Sequence, residues 1–449
     1  MNMASLVVRI RNSFSRILTG RRSYDAAGGS GRWPMSAHLR APASQAHAAA
    51  RLVSARIGYL VENSPALRAV ENAYTSNLAG DGPSLHHPDT AIVAGWNRFW
   101  HLADAEGVSD LAGLLRRAVQ SWVRTGEAFF ILDTTDVGAL ALRLVSPEQI
   151  DRDRNEDLGD GGMIVQGIEI DAFGRRVAYW VLPTPPDGPF PMAGPSVRIP
   201  AVDVVHIYDP RHPGQMRGVS PLTSIATRAV ELDQLEDAIL TKARVTALFA
   251  GFVRDPSGDA GFSRGSEESL SLEPGVIRVI PADSEVTFTP HGDASAQPEL
   301  ARYMMRTLAA GAGVPYELVS GDLSQVNYSS ARLGLMEFRR RMKALQKSLL
   351  EHQALRPIFR RWALQEILAG RLEADPDKLP EPVFMWPGWD PINPKDEVEA
   401  DIAAIGARLK SRSEVIAARG RDPEEVRSEI DNDPPSMSPA LPQTEQAHA

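Results

Sequence analysis

Apolar residues recur at helical spacing over the first part of the chain that shows any regular pattern. Between residues 48 and 77 this spacing predicts two short helices, because Pro65 interrupts it and Gly80 follows it. The same spacing predicts helices over residues 92–102 and 111–124, with Gly126 just beyond the second. We therefore expect this region to be helical.

Between residues 127 and 210 the hydrophobic period changes from helical to strand-like. Five short runs separated by Gly, Pro and Asp are typical of strands. They read EAFFILDTT, ALALRLVSP, MIVQGIEID, RRVAYWVLP and VDVVHIYDP. This middle region is predicted to be a β-rich unit, and the chain as a whole is expected to belong to the α+β class.

Two long helices are predicted on either side of a second, smaller β-rich segment. Residues 221–244 carry one apolar stripe, and residues 299–312 form the second helix. Between them stand three strand-like pieces, LFAGFVRD, GVIRVIPA and EVTFTP, with a glycine-rich insertion over 256–269. The arrangement predicts a helix, a β tip and a returning helix.

A small polar run leads directly into a strongly basic helix. Asn327, Ser329 or Ser330 can accept hydrogen bonds from the free N–H groups of a helix start. The next apolar residues recur at 3,4,3,4 spacing, which predicts one buried face: Leu335, Phe338, Met342, Leu345 and Leu349. Residues 332–361 contain nine basic and two acidic side chains. The basic face suits solvent, DNA or the acidic surface of another copy, and the sequence leaves these open.

Composition excludes several classes of protein. The 449-residue chain has 43% hydrophobic residues and a net charge of −9, which disfavours a protein that grips DNA over most of its surface. It has no cysteine, so a disulfide framework or a thiolate site is excluded. No apolar run reaches the roughly 18 residues that span a bilayer. We expect a soluble protein without a membrane role.

Motifs for catalysis are mostly missing. No lysine lies in a phosphate-binding loop, and the Ser220 turn RGVSPL lacks the second glycine of a nucleophile elbow. His206, Asp209 and His212 are candidate metal ligands for a hydrolase, although Pro210 and Pro213 favour a structural turn. A sequence-specific DNA-binding protein that uses helix 332–361 is another alternative. We predict no enzyme activity, cofactor or metal.

One long segment resembles a known family. AAGAGVPYELVSGDLSQVNYSSARLGLMEFRRR, residues 309–341, is similar to the signature of the lambda-type portal proteins of tailed bacteriophages. Supporting pieces follow the family order: YDAA, ENSPALRAVENAYTSNLAG, RTGEAFF, GIEIDAFGRRVAYWVL, PGQMRGVSPL, PGVIRVIP and WPGWDPINPKDE. Asn393 departs from the aspartate usual in the last piece, and residues beyond Ala400 are weakly similar.

The resemblance implies a portal fold assembled as a ring of twelve copies. Its parts are a basic arm (1–47), a mixed α/β wing (48–220), a stem helix (221–245), a β clip (246–298), a second stem helix (299–313), a channel loop (314–330), wing helices (331–399), and a short helical crown with an acidic tail (400–449). The implied channel-loop residues are Ser320, Gly321, Asp322, Ser324, Gln325, Asn327, Tyr328, Ser329 and Ser330. Candidate contacts with DNA or with other subunits are Arg332, Arg339, Arg340, Arg341 and Lys343.

The resemblance also implies partners and a location. A portal ring at one capsid vertex would meet the terminase large subunit, the major capsid or scaffold protein, and head-completion proteins. Double-stranded DNA would pass through it without being read. The protein would be part of the virion, assembled in the host bacterial cytoplasm.

Overall fold

The structure is a computed structural model that describes residues 42–186, 188, 194–248, 252–254, 278–280, 296–324, 328–391 and 393–433. Residues 1–48 and 49–449 are two separate units. Of the first unit, only the helical residues 42–48 are described.

Four helices open the described chain, at the positions that their sequence pattern predicts. Asp110 begins the fourth by accepting a hydrogen bond from the Gly113 N–H at 2.8 Å, and Gly126 ends it with φ 95°. The predicted arm, 1–47, overlaps the first helix, which already starts at Pro42. Proline is favoured at the first position of a helix. The helices are α1 (Pro42–Asn63), α2 (Pro65–Leu78), α3 (Thr90–Leu102) and α4 (Leu111–Thr125).

Two antiparallel sheets make up the middle of the chain. A three-stranded sheet has the order β3-β2-β9, and a five-stranded sheet has the order β4-β5-β6-β7-β8. Their strands are β2 (Glu127–Thr134), β3 (Leu140–Val145), β4 (Glu156–Asp157), β5 (Met163–Val165), β6 (Ile168–Ile170), β7 (Arg176–Val181), β8 (Val197–Pro200) and β9 (Val204–Tyr208).

One predicted strand is wrong in detail. The run MIVQGIEID is two strands, β5 and β6, joined by a two-residue turn. Gln166 and Gly167 both have positive φ, 52° and 77°. This is the backbone conformation that closes a tight hairpin, so a single apolar run is divided in the middle.

Strand β2 separates two hydrophobic cores. Ala128, Phe130 and Leu132 face the larger core, which the helices share. Phe129 and Ile131 face a smaller core between the two sheets. Because successive side chains of a strand point to opposite faces, a central strand that is covered on both sides needs the uninterrupted apolar run AFFIL.

The two long helices are present, but the first starts later than predicted. They are α5 (Ala226–Leu248) and α6 (Ala296–Ala312). Residues 221–225 form turns, because the Ser220 hydroxyl accepts from the Leu222 N–H at 3.0 Å and donates to the Val123 carbonyl. Of the predicted β tip, a parallel pair is described, β10 (Phe252–Arg254) with β11 (Arg278–Ile280). The piece EVTFTP and the insertion over 256–269 lie outside the described residues.

The remaining chain is mainly helical. The predicted basic helix is α8 (Tyr328–Leu345), and it continues without a break as a π-helix (Gln346–Leu355) and then α9 (Arg356–Leu368). The predicted short helical crown, from residue 400 on, lies in a helical region that positive φ at Arg408 and Gly420 divides into three helices. The other elements are β1 (Ser84–His86), which pairs with β12 (Val383–Met385), α7 (Tyr316–Ser320), α10 (Pro394–Gly406), α11 (Arg412–Ala418) and α12 (Pro423–Asn432).

Among the described residues, no helix has both the length and the apolar character that a bilayer crossing requires.

Candidate functional site: the segment between α6 and α8 and the basic helix

The predicted channel loop, 314–330, is partly helical. Gly313 ends α6 with φ 68°, and α7 occupies the first half of the segment before Gly321, with φ 67°, ends it. Ser320 is thus the last helical residue rather than a loop residue. Asp322 follows, and its carboxylate accepts from the Ser324 N–H at 3.0 Å and from the Ser324 hydroxyl at 2.6 Å.

The end of the predicted loop also differs. Tyr328, Ser329 and Ser330 are in the first turn of α8, so they are helical residues and not loop residues. Neither serine stands before the helix, where a capping residue has to be. Gln325 and Asn327 lie outside the described residues, so the predicted cap at Asn327 stays a prediction.

Two arginines that the sequence reasoning did not select lie beside this segment. Arg306 of α6 is over the Tyr316 ring, with its guanidinium carbon 5.4 Å from the ring centre. The pKa of Asp322 is lowered, first by its bonds from Ser324 and then by the charges of Arg302 and Arg306. Their spacing of four residues on a predicted helix was the available signal, because it places both on one side.

Helix α8 buries one face as predicted. Phe338, Met342 and Leu349 are 3%, 0% and 1% exposed. Leu335 and Leu345 are half-buried against the same core. The 3,4,3,4 spacing therefore identified the inner face correctly.

Two of the predicted contact arginines are bound within the chain. Arg339 donates to the Asp390 carbonyl at 3.3 Å. Arg341 donates to the Ala312 carbonyl at 3.2 Å and lies over the Tyr74 ring, 5.7 Å from its centre. The Arg341 contact holds α8 to the end of α6, and the Arg339 contact holds α8 to the chain that leads to Pro394. Their predicted contacts with DNA or with other subunits stay a prediction.

The other three predicted contact residues stay accessible. Arg340 makes an exposed ion pair with Glu337 at 3.0 Å, the kind of pair that contributes little to stability. Arg332 and Lys343 form no ion pair with any residue that the structure describes. Leu333 and Met336 on the same helix are 71% and 52% exposed. The accessible face of α8 is thus both apolar and basic.

The alternative metal site is wrong. His206 is buried in β9 and stacks between Phe129 and Tyr208, with ring centres 4.2 and 4.5 Å away. Its Nε2 lies 3.2 Å from Glu127 Oε2, so the imidazole pairs with β2 and not with Asp209 or His212. Within the described ranges, no group of three or more His, Asp or Glu side chains could hold a metal ion.

His206 belongs instead to a buried charged cluster around Glu127. The Glu127 carboxylate accepts from Arg217 at 2.6 and 3.0 Å, from Arg152 at 2.6 Å and from the Gly218 N–H at 2.9 Å. We call Glu127, Arg152, His206 and Arg217 the Glu127 cluster. It joins the first residue of β2 to the loop that leads into α5.

Burial and neighbouring charges set the protonation of this cluster. Burial alone would raise the pKa of Glu127, but Arg217, the hydrogen bond from His206 and the charge of Arg152 hold it well below its usual range. Burial lowers the pKa of His206 to about 4, against the attraction of Glu127. A neutral imidazole can satisfy both of its contacts, donating to Glu127 and accepting from the Tyr179 hydroxyl at 3.4 Å. The cluster is therefore a charged anchor between β2 and the loop before α5.

The comparisons with known proteins agree with the sequence signature. The family model of phage portal proteins, lambda family, matches residues 31–346. The chain belongs to this family.

Individual relatives are distant. The chain is 27% identical over 309 residues to a probable portal protein of Halomonas phage phiHAP-1, and the match covers 65% of this chain and 59% of that protein, less than two thirds of its length. It is 24% identical over 384 residues to portal protein B of Escherichia phage lambda, covering 75% and 71% of the two chains. A solved structure of the neck of a native gene transfer agent particle, computed with C12 symmetry, is 16% identical with a TM-score of 0.43, covering 84% of this chain and 99% of that one.

Proposed function

We propose that the protein is the subunit of a portal ring, a conduit for double-stranded DNA at one capsid vertex. DNA enters during packaging, driven by a separate terminase, and leaves through the same opening. The observation that carries this proposal is the family match over residues 31–346, which includes α5, α6, the segment between α6 and α8, and all of α8.

The two long helices support a ring. Helices α5 and α6 leave side chains exposed that a single chain does not cover: Leu240 and Leu300 are 48% exposed, and Tyr303 is 62% exposed. Side-by-side copies would cover such residues, because apolar surface is stabilised when it leaves water. In this proposal α5 and α6 are the stem, and the described pair β10 and β11 belongs to the clip.

The distribution of charge suits a conduit. Uniform phosphate binding would hold DNA in place, whereas a net charge of −9 limits non-specific affinity. In this proposal the segment over 314–330 faces the channel, with Arg302 and Arg306 beside it as the local cations. Both arginines lie close enough to Asp322 for their charges to lower its pKa, which places them beside this segment.

The remaining parts of the proposal come from the family resemblance. The ring has twelve copies, it contacts the terminase large subunit and the major capsid or scaffold protein, and head-completion proteins dock later at the clip. The protein performs no catalysis and needs no cofactor. It is part of the virion.

Mass photometry of the purified full-length chain tests this function, at low and high salt and over a range of protein concentrations. The expected result is one large closed species of about twelve chain masses. Binding to two duplexes of unrelated sequence is expected to be weak and equal. A chain that stays monomeric under all of these conditions, or that discriminates between the duplexes, contradicts the proposal.

A further inference from the structure

One face of α8 has no partner within the described chain. Five side chains recur at 3,4,3,4 spacing opposite the buried face, four on α8 and one in the first turn of the π-helix, and we call them the outer stripe: Leu333, Met336, Arg340, Lys343 and Lys347. Its first two members are 71% and 52% exposed. Neither lysine has an ion-pair partner among the described residues. The stripe is therefore apolar at its start and basic further along.

A second unpartnered surface lies between α1 and α5. It is a groove of about 550 Å³ whose apolar walls include Val53, Tyr59, Leu60, Ala226 and Val230. Tyr59 is 67% exposed and Val230 is 39% exposed, so the groove is open to solvent.

Carboxylates continue this groove beyond its apolar part. Ser64 directly follows α1, and its hydroxyl donates to Asp233 of α5 at 3.4 Å, which places Asp233 at the end of the groove. Asp237 is one turn further along α5. Glu236 lies beside both, since their charges act on it. We call the groove together with Asp233, Glu236 and Asp237 the acidic groove.

No cation in the described part of the chain forms an ion pair with these carboxylates. Burial and the charge of Asp237 raise the pKa of Asp233, and burial followed by the charges of Asp233 and Asp237 raises the pKa of Glu236. Neither Glu236 nor Asp237 forms an ion pair with a described residue. A nearby lysine would relieve this repulsion.

The two surfaces match in order and in spacing. In the outer stripe, Met336 precedes Lys343 by seven residues, and in the acidic groove Val230 precedes Asp237 by seven residues. At the rise of an α-helix both separations are about 10 Å. Two helices that lie side by side in the same direction would therefore bring apolar groups against apolar groups and lysines beside carboxylates.

We infer that the outer stripe of one protomer docks in the acidic groove of its neighbour in the ring. This inference rests on the proposed function, since it assigns one subunit contact of the proposed assembly. Each chain carries both surfaces, and a contact between two different surfaces repeats around a closed ring. The basic face of α8 is thus a subunit interface.

DNA is the weaker candidate for the outer stripe. Phosphates attract its basic half, but Leu333 and Met336 gain nothing from a phosphate backbone. A second copy of this chain offers both the apolar surface and the carboxylates. A second copy therefore fits the stripe better than DNA does.

Charge reversal in the full-length chain tests the contact. The first variant is Lys343→Glu with Lys347→Glu, the second is Glu236→Lys with Asp237→Lys, and the third combines all four changes. Each of the first two puts like charges together, so the protein concentration at half assembly, read by mass photometry, is expected to rise about tenfold or more. The combined variant restores opposite charges and is expected to assemble like the wild type.

Matched controls separate the interface from net charge and from folding. Lys378→Glu and Glu373→Lys reverse exposed charges outside both surfaces and are expected to leave assembly unchanged. Leu333→Ser with Met336→Ser tests the apolar half without a change of charge and is expected to weaken assembly. Circular dichroism of each variant is expected to match that of the wild type.

The outcomes distinguish this inference from the proposed function. If the wild type forms rings and the reversals leave assembly unchanged, or if the combined variant fails to restore it, the inference is wrong and the ring stands. If the stripe variants lose DNA binding but assemble normally, the stripe is a DNA surface. If the wild type never forms rings, both proposals are overturned.

Discussion

A single buried carboxylate, Glu127, joins parts of the chain that are far apart in sequence. It binds Arg152 and Arg217 and is itself fully buried. Buried charges of this kind are costly unless each is paired. The removal of one partner is therefore destabilising, even where the complete cluster adds little to stability.

Glu127→Gln is expected to lower the free energy of unfolding by about 3–5 kcal/mol, because two buried guanidinium groups lose their counter-charge. Urea denaturation followed by tryptophan fluorescence measures the effect. Glu156→Gln is the control: it removes an exposed carboxylate 3.2 Å from Arg154, and its cost is expected to be at most about 1 kcal/mol. Equal effects of the two changes would contradict this account of the cluster.

Acid is expected to destabilise the fold through His206. Its folded-state pKa of about 4 lies below the 6.5 of a free imidazole. Between these values the unfolded chain binds a proton that the folded chain does not, so stability falls as the pH falls from about 6.5 to 4. The total is on the order of 3 kcal/mol. Protonation of Glu127 adds to the loss only below the usual pKa of a carboxyl.

His206→Gln is expected to remove the fall in stability between about pH 6.5 and 4. The further fall in stability below the usual pKa of a carboxyl, which comes from protonation of Glu127, is expected to remain. The measurement is the urea midpoint at a series of pH values. His212→Gln, a change in the exposed turn, is expected to keep the slope of the wild type. An unchanged slope in His206→Gln would show that another group is responsible.

Single residues were the least predictable part of the site. Spacing suggested His206 as a metal ligand beside Asp209 and His212, yet its partner, Glu127, is 79 residues away in sequence. Which side chains meet across strands depends on the register of β2 and β9, and no local pattern contains that register. The intrachain partners of Arg339 and Arg341, the carbonyls of Asp390 and Ala312, are likewise distant in sequence.

Elements were more predictable where periodicity alone decides them. The start of α2 at Pro65 and the end of α4 before Gly126 follow signals that the sequence shows directly. The late start of α5 depends on a bond from Ser220 to Val123, a tertiary contact. The π-helix after α8 places Gln353 so that its side chain bonds both the N–H and the carbonyl of Tyr208, at 3.0 and 3.1 Å. No periodic signal predicts such a segment.

The junction between the sheet region and α5 depends on two glycines. A Cβ on Gly218 would lie 2.0 Å from the Gly126 carbonyl oxygen, and one on Gly126 would lie 2.3 Å from the Val219 backbone. Gly126 also has a positive φ of 95°. The two chain segments therefore touch by backbone, which only glycine permits.

Gly218→Ala is expected to lower the free energy of unfolding by on the order of 3 kcal/mol, because backbone has to move to admit the methyl group. The measurement is again urea denaturation. Gly406→Ala is the control, since its Cβ meets nothing within 4 Å and its φ is not positive. The control is expected to be neutral or slightly stabilising. A neutral Gly218→Ala would contradict the close approach.

At the scale of the whole molecule, the family was predictable from one contiguous signature and the assembly was not. The signature over 309–341 is confirmed by the family match over 31–346. The predicted division into wing, stem, clip and crown stays a proposal, since a single chain shows which surfaces are uncovered but not what covers them. The exposed apolar residues of α5 and α6 identify the surfaces that neighbouring copies are expected to cover.

A cryo-electron microscopy reconstruction of the assembled full-length protein tests the central claim most directly. The account predicts a closed ring of identical copies in which α5 and α6 stand side by side around a central opening wide enough for duplex DNA. A reconstruction in which these helices face away from any shared opening, or in which the copies meet without closing around one, would contradict it.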